Sequence, residues 1–226
     1  MNNTRNEYDK RLKEVELYFE TLELLDKGIC SIRCVTIMGG EETKEIDIEL
    51  STILKANGFL LLYNLIEATV KNSIDAILDS IHSKTVTFGD LSENLKKIWL
   101  KQESNGFDPQ KGPGKILLIA KAILENEMLT FKKDCINISG NIDAQEIRNI
   151  LKQFGGNEIK NGRHLKTIKD KRNNLAHGEF TFSEIGKDYT IQELIQYKNE
   201  AKDFLLNVLS EVQDYIDNQK FLKIHS

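Results

Sequence analysis

Residues 169–178 read K-D-K-R-N-N-L-A-H-G, which sets Arg172 and Asn173 just ahead of His177, with four residues between the arginine and the histidine. A guanidinium stays cationic at any working pH and can hold two phosphate oxygens at once. An imidazole can move protons near neutral pH. RNA already carries its own nucleophile, the 2′-hydroxyl, so its cleavage requires only that this proton be taken, that charge on the phosphate be stabilised and that the leaving 5′-oxygen be protonated. A positioned histidine is typically worth about a hundredfold to ten-thousandfold in such proton transfer. These are the parts that metal-free RNA cleavage needs.

Asn173 lies four residues before His177, on the same helix face, where it can orient the imidazole or the phosphate. Arg172 and His177 differ by roughly 140° around a helix of 3.6 residues per turn, so one helix alone makes an awkward complete site. Two copies facing each other across a two-fold axis would bring both arginines and both histidines to one cleft, and an isologous contact is the commonest oligomer arrangement.

Around the motif, Lys160, Arg163, His164, Lys166, Lys169 and Lys171 form a basic segment offset only by Asp170, a candidate RNA-phosphate surface or a solvated helix face. A formal net charge of -4 argues against a chain that coats nucleic acid over its whole surface. Asn64, Glu67 and Lys71 make a polar stripe on an otherwise apolar helix. Glu67 then either orients Arg172 or His177 from behind, with Asn64 beside it, or forms an exposed i,i+4 pair with Lys71 worth about 0.2 to 0.5 kcal/mol. Phe180 and Phe182 could stack on a base or pack in the core. His82, His164 and His225 lack metal-ligand spacing.

These groups need a scaffold, and the periodicity predicts a helical one. Tyr8, Leu12, Val15, Phe19 and Leu22 make 5–25 an amphipathic helix. Alternation around Gly39-Gly40 predicts a short hairpin within 28–49. Ser51 is the expected cap of a long helix to about residue 82 that buries Phe59, Leu62, Ile66, Val70, Ile74, Ile77 and Ile81. Asp90 with Glu93 predicts a helix start, the Pro- and Gly-rich stretch 104–114 a loop, and 115–132 a helix. Asp143 with Glu146 should cap a shorter helix ending at Gly155-Gly156. The motif helix is expected over about 165–177, with Leu165, Ile168 and Leu175 inward and Gly178 as its stop. A last helix should start at Thr190 and bury Leu194, Tyr197, Ala201, Phe204, Val208, Val212, Tyr215 and Leu222. The architecture is thus all-α, a four-helix bundle in one domain, 1–226, with 83–158 a helical insertion between core helices.

Three cysteines at 30, 34 and 135 lack zinc spacing and fit a reducing compartment. The uninterrupted apolar run at 59–63, which no other exceeds in length, is too short to span a bilayer, so a soluble cytoplasmic protein is expected.

The motif, the F-T-F-S-E-I-G-K-D-Y-T that follows it and the apolar helix K-A-N-G-F-L-L-L-Y-N-L-I-E-A-T-V at 55–70 together resemble the HEPN superfamily. Within it they are similar to stand-alone prokaryotic HEPN-like nucleases of defence and toxin–antitoxin loci. The resemblance covers about 51–82 and 141–221. It implies a HEPN-type up-down four-helix bundle and a homodimeric, metal-independent endoribonuclease with a composite cleft, no cofactor, and RNA as substrate. It also implies a toxin or antiviral effector role with an antitoxin or defence-system protein as partner. By position, Arg172, Asn173 and His177 match the family motif. Many toxins of the superfamily carry, two residues after the histidine, a tyrosine that a partner nucleotidyltransferase modifies; here that residue is Glu179, so a different control is expected. The alternatives are a non-catalytic HEPN-like module that binds RNA, a nucleotide or a protein, and a purely structural role for Arg172 and His177.

Overall fold

In the computed structural model the protein is mainly α-helical with one antiparallel hairpin, and residues 1–28, 30–105, 112–136, 138 and 140–223 are described. Among them are eight α-helices: α1 (Asn2–Asp26), α2 (Ile48–His82), α3 (Glu93–Ser104), α4 (Gly112–Leu124), α5 (Ala144–Phe154), α6 (Leu165–Ala176), α7 (Phe182–Lys187) and α8 (Ile191–Asp217). Strands β1 (Ser31–Val35) and β2 (Glu41–Glu45) pair with Ser31 opposite Glu45 and Val35 opposite Glu41. Gly39, at φ +80°, makes the turn between them. The expected all-α class and the hairpin are both observed.

The chain packs as two compact units, Asn6–Ala68 with Asn161–Asp203, and Met1–Arg5 with Thr69–Lys160 and Phe204–Ser226. The first carries the motif. Its α1 buries the predicted stripe, Tyr8, Leu12, Val15, Phe19 and Leu22. Its stretch of α2 buries Ala56, Phe59, Leu62, Tyr63, Leu65 and Ile66, and the Tyr18 hydroxyl of α1 donates to the Leu54 carbonyl of α2. The cap of α2 is Asp47 rather than the expected Ser51: the Asp47 carboxylate accepts the Leu50 N–H at 2.8 Å, and a helix starts at the first side chain able to satisfy its orphan donors. At the predicted start of α8, Thr190 and Glu193 form a capping box, with Thr190 N–H to Glu193 Oε2 at 2.8 Å and Glu193 N–H to Thr190 Oγ1 at 3.2 Å. Tyr197, expected to be buried, is only half-buried, with its ring stacked on that of His164.

α7 was not expected. Thr181 caps it, with its hydroxyl accepting the Glu184 N–H at 3.2 Å and its own N–H donating to Glu184 Oε2 at 2.8 Å. Six residues are too few for helical periodicity to register.

In the second unit, Asp143 Oδ1 accepts the N–H groups of Gln145 and Glu146 and Gly155, at φ +87°, ends α5, both as predicted. Three expectations are revised. Asp90 closes a single 3-10 turn (Phe88–Asp90) by accepting from Thr87, and α3 starts at Glu93 after Ser92. α4 begins at Gly112, because Pro113 in a first turn gives up an N–H that would be unpaired anyway, and it ends at Leu124 rather than near 132. Of the predicted loop, Ser104 ends α3 and residues 106–111 lie outside the described residues, as does His225. α8 ends at Asp217, and Phe221 is buried in place of the expected Leu222. His82 accepts the Phe131 N–H on Nε2 at 3.0 Å.

Although its longest unbroken apolar run is short, α2 as a whole is long and apolar enough to cross a membrane, and half of that window is buried inside the protein. Its apolarity is that of a helix packed along its length: Phe59, Leu62, Ile66, Val70, Ile74, Ile77 and Ile81 are all buried.

Candidate functional site

The candidate site is built on α6 and the facing stretch of α2, both in the first unit. Leu165, Ile168 and Leu175 anchor α6 in the core, as predicted. His177 is its C-cap and Gly178, at φ +69°, follows in the left-handed conformation that glycine adopts without strain. The Gly178 N–H donates to the Leu175 carbonyl at 3.2 Å and the Glu179 N–H to the Asn174 carbonyl at 2.9 Å, which is a Schellman closure. This turn ends the helix at His177 and leaves its side chain exposed.

Arg172 is held much more firmly. Its guanidinium carbon lies 3.6 Å from the centroid of the Tyr63 ring, Nη1 donates to Asn173 Oδ1 at 2.8 Å and Nη2 to Glu67 Oε2 at 3.4 Å. The Arg172 and Glu67 side chains are 20% and 24% exposed, so the pair is shielded yet still open to solvent on one side. The aromatic face and the half-buried carboxylate both attract the cation. Asn173 therefore touches the arginine, and Glu67 reaches Arg172. Asn64 is not part of that contact: its Oδ1 accepts from Arg11 Nη1 at 2.7 Å, tying α2 to α1.

Tyr63 was missed as a site residue because it sits within an apolar run. The available signal was its spacing of four from Glu67, which puts ring and carboxylate on one helix face. Asn174 was also passed over. With its amide nitrogen turned toward two acceptors, it donates to Glu179 Oε2 and to the Asp170 carbonyl, both at 3.1 Å, so Glu179 folds back on the helix end.

The basic segment is unevenly presented. Lys160, Arg163 and Lys166 are exposed, whereas Lys169 and Lys171 are half-buried, with Lys169 3.6 Å from Asp170 and the Lys171 ammonium 5.5 Å from the centre of the Tyr189 ring. Burial pushes the Tyr189 phenol up to about 12. His164 is tied into the fold: its N–H donates to Glu200 Oε1 at 2.8 Å, its Nδ1 lies 2.6 Å from Glu200 Oε2, and its ring stacks on Tyr197 at 4.4 Å. Phe180 is half exposed just beyond His177, and Phe182 opens α7 half-buried.

The chain matches the family described as HEPN_MAE_28990-like HEPN over residues 2–221. No curated protein and no solved structure matches it. The helical fold, the R-N-x-x-x-H segment at the end of α6 and this match over nearly the whole chain lead to one conclusion: the protein belongs to the HEPN superfamily, a class of nuclease-like and RNA-related modules.

Proposed function

We propose that the chain is a metal-independent endoribonuclease of the HEPN type, in which Arg172 grips the scissile phosphate, His177 moves the proton and Asn173 supports the arginine. One observation carries this reading: a guanidinium fixed in orientation by Tyr63, Glu67 and Asn173 shares its helix with an exposed histidine at the C-cap. Preorganised charge aimed at a phosphate costs no reorganisation at the moment of reaction. Lys160, Arg163 and Lys166, being exposed, supply the approach for RNA.

The roughly 140° between positions 172 and 177 supports a homodimer in which each copy completes the other's cleft. On this reading the chain is one HEPN-like domain with 83–158 inserted, working in the cytoplasm as a toxin or antiviral effector and controlled by a protein partner that does not use a tyrosine at 179. The test is cleavage of total RNA and of purified tRNA by wild type and His177→Ala in excess EDTA, with the new ends mapped chemically. Cleavage by wild type alone, leaving cyclic phosphates, is the expected result. Equal cleavage by both proteins would remove His177 from the mechanism.

A second reading is favoured by the same contacts seen from the other side. Arg172 already pairs with Glu67 and Asn173, as an arginine that organises a binding surface would. A non-catalytic module of this kind binds RNA and shows no turnover to lose.

A further inference from the structure

We propose that Tyr63 is a positioning residue of the phosphate-gripping site, the platform that sets the plane of the Arg172 guanidinium. This rests on the reading of Arg172 as the residue that holds phosphate. Tyr63 is 2% exposed and lies on α2 one turn before Glu67. With the Arg172 carbon 3.6 Å from the ring centroid, one face of the guanidinium is covered. Rotation in the remaining plane is restrained at two corners, by Glu67 Oε2 on Nη2 and by Asn173 Oδ1 on Nη1.

A long arginine side chain ordinarily loses rotamer freedom when it binds an anion. Here the fold has already ordered it. The carboxylate and the amide locate the cation, but neither controls tilt, because a hydrogen bond to an oxygen tolerates a broad range of angles. An aromatic face does control tilt. Phosphate binding in the two-point mode needs the guanidinium edge presented in one plane, so the ring decides whether Arg172 acts as a fork or merely as a charge.

The test uses full-length protein, a cleavable single-stranded RNA and its non-cleavable 2′-O-methyl counterpart. Tyr63→Leu is expected to lower kcat ten- to a hundredfold and to weaken binding of the 2′-O-methyl RNA about tenfold, with the salt slope reduced by roughly one phosphate contact. Tyr63→Phe, which keeps the ring, should recover most of both losses. Should Tyr63→Leu not fold, Arg172→Lys asks the same question, since lysine keeps the charge and loses the plane; it should fall as far as Arg172→Gln.

The outcomes separate. Wild type that binds without cleaving, with the same order among the variants' affinities, sinks the nuclease reading and keeps the platform. Tyr63→Leu, or Arg172→Lys, that binds and cleaves like wild type overturns the platform and leaves the nuclease standing. Wild type that does not bind RNA overturns both.

Discussion

Gly186 of α7 rests directly on the backbone of α2: a Cβ at this position would lie 1.8 Å from the Thr52 carbonyl oxygen and 2.6 Å from its carbonyl carbon. The obstacle is backbone, which cannot swing aside. Gly186→Ala should therefore lift α7 away from α2 and cost at least the upper end of the about 1 to 3 kcal/mol usual for overpacking. Chemical denaturation measures it. A variant within about 0.5 kcal/mol of wild type, the range of neutral surface changes, would show that α7 does not depend on this contact.

Arg172 and His177 should separate in stability even if both are needed for activity. Arg172→Ala strips Glu67 of a partner in a half-buried place and exposes the Tyr63 face, an expected loss of about 1 to 3 kcal/mol. His177 is exposed, so His177→Ala should stay within about 0.5 kcal/mol of wild type. Thermal melts of the two proteins decide. Equal destabilisation would mean that His177 is a structural cap.

His164 should behave as an anchor of the motif helix rather than as a phosphate contact. Glu200 accepts both the His164 N–H and its ring nitrogen, so Glu200→Ala removes two partners at the start of α6 at once. Hydrogen exchange of the first turn of α6 should rise in Glu200→Ala and in His164→Ala, while the salt dependence of RNA binding stays unchanged. A fall in the salt slope with His164→Ala would return that residue to the RNA surface.

RNA affinity should fall steeply with salt, and the exposed cations should account for it. Arg163→Glu and Lys166→Glu are each expected to reduce the slope by about 0.7, the value for one contact to a single strand. Lys169→Gln and Lys171→Gln should change it less, since those side chains are half-buried beside Asp170 and Tyr189. Filter binding from low to moderate salt gives the slopes. A flat dependence in the wild type would put the RNA elsewhere.

Alkaline stability carries a signature of the packed tyrosines. Burial pushes the Tyr18 and Tyr189 phenols up to about 12, from an ordinary value of 10. The unfolded chain therefore releases these protons first, and between pH 10 and 12 it binds fewer than the folded one. Stability should be fully present below pH 10 and decline as pH rises toward 12. Tyr8 and Tyr215 are raised in the same direction by burial and steepen the fall. Tyr18→Phe should flatten the decline, followed by denaturant midpoints at each pH, and an unchanged slope would mean that Tyr18 titrates as an exposed phenol.

What the amino-acid sequence determined by itself is whatever one element contains within its own length. The stripe from Tyr8 to Leu22, the buried face of α2, the caps at Asp143 and Thr190 and the stop at Gly178 all follow from periodicity and from side chains three or four residues apart. The motif itself, from Arg172 to His177, is likewise local. Where two possible caps lay close together, as with Asp47 and Ser51, only the folded chain chose between them, because either side chain type can accept from the first free N–H groups of a helix. Tertiary structure alone decided the partners. Glu67 meets Arg172 across 105 residues, and His164 meets Glu200 across 36. Such pairings depend on which helix faces pack together, a property of the whole core that no single element's residue pattern contains. The sequence could therefore name the arginine and the histidine, but only packing could put a tyrosine beneath the one and leave the other open to solvent.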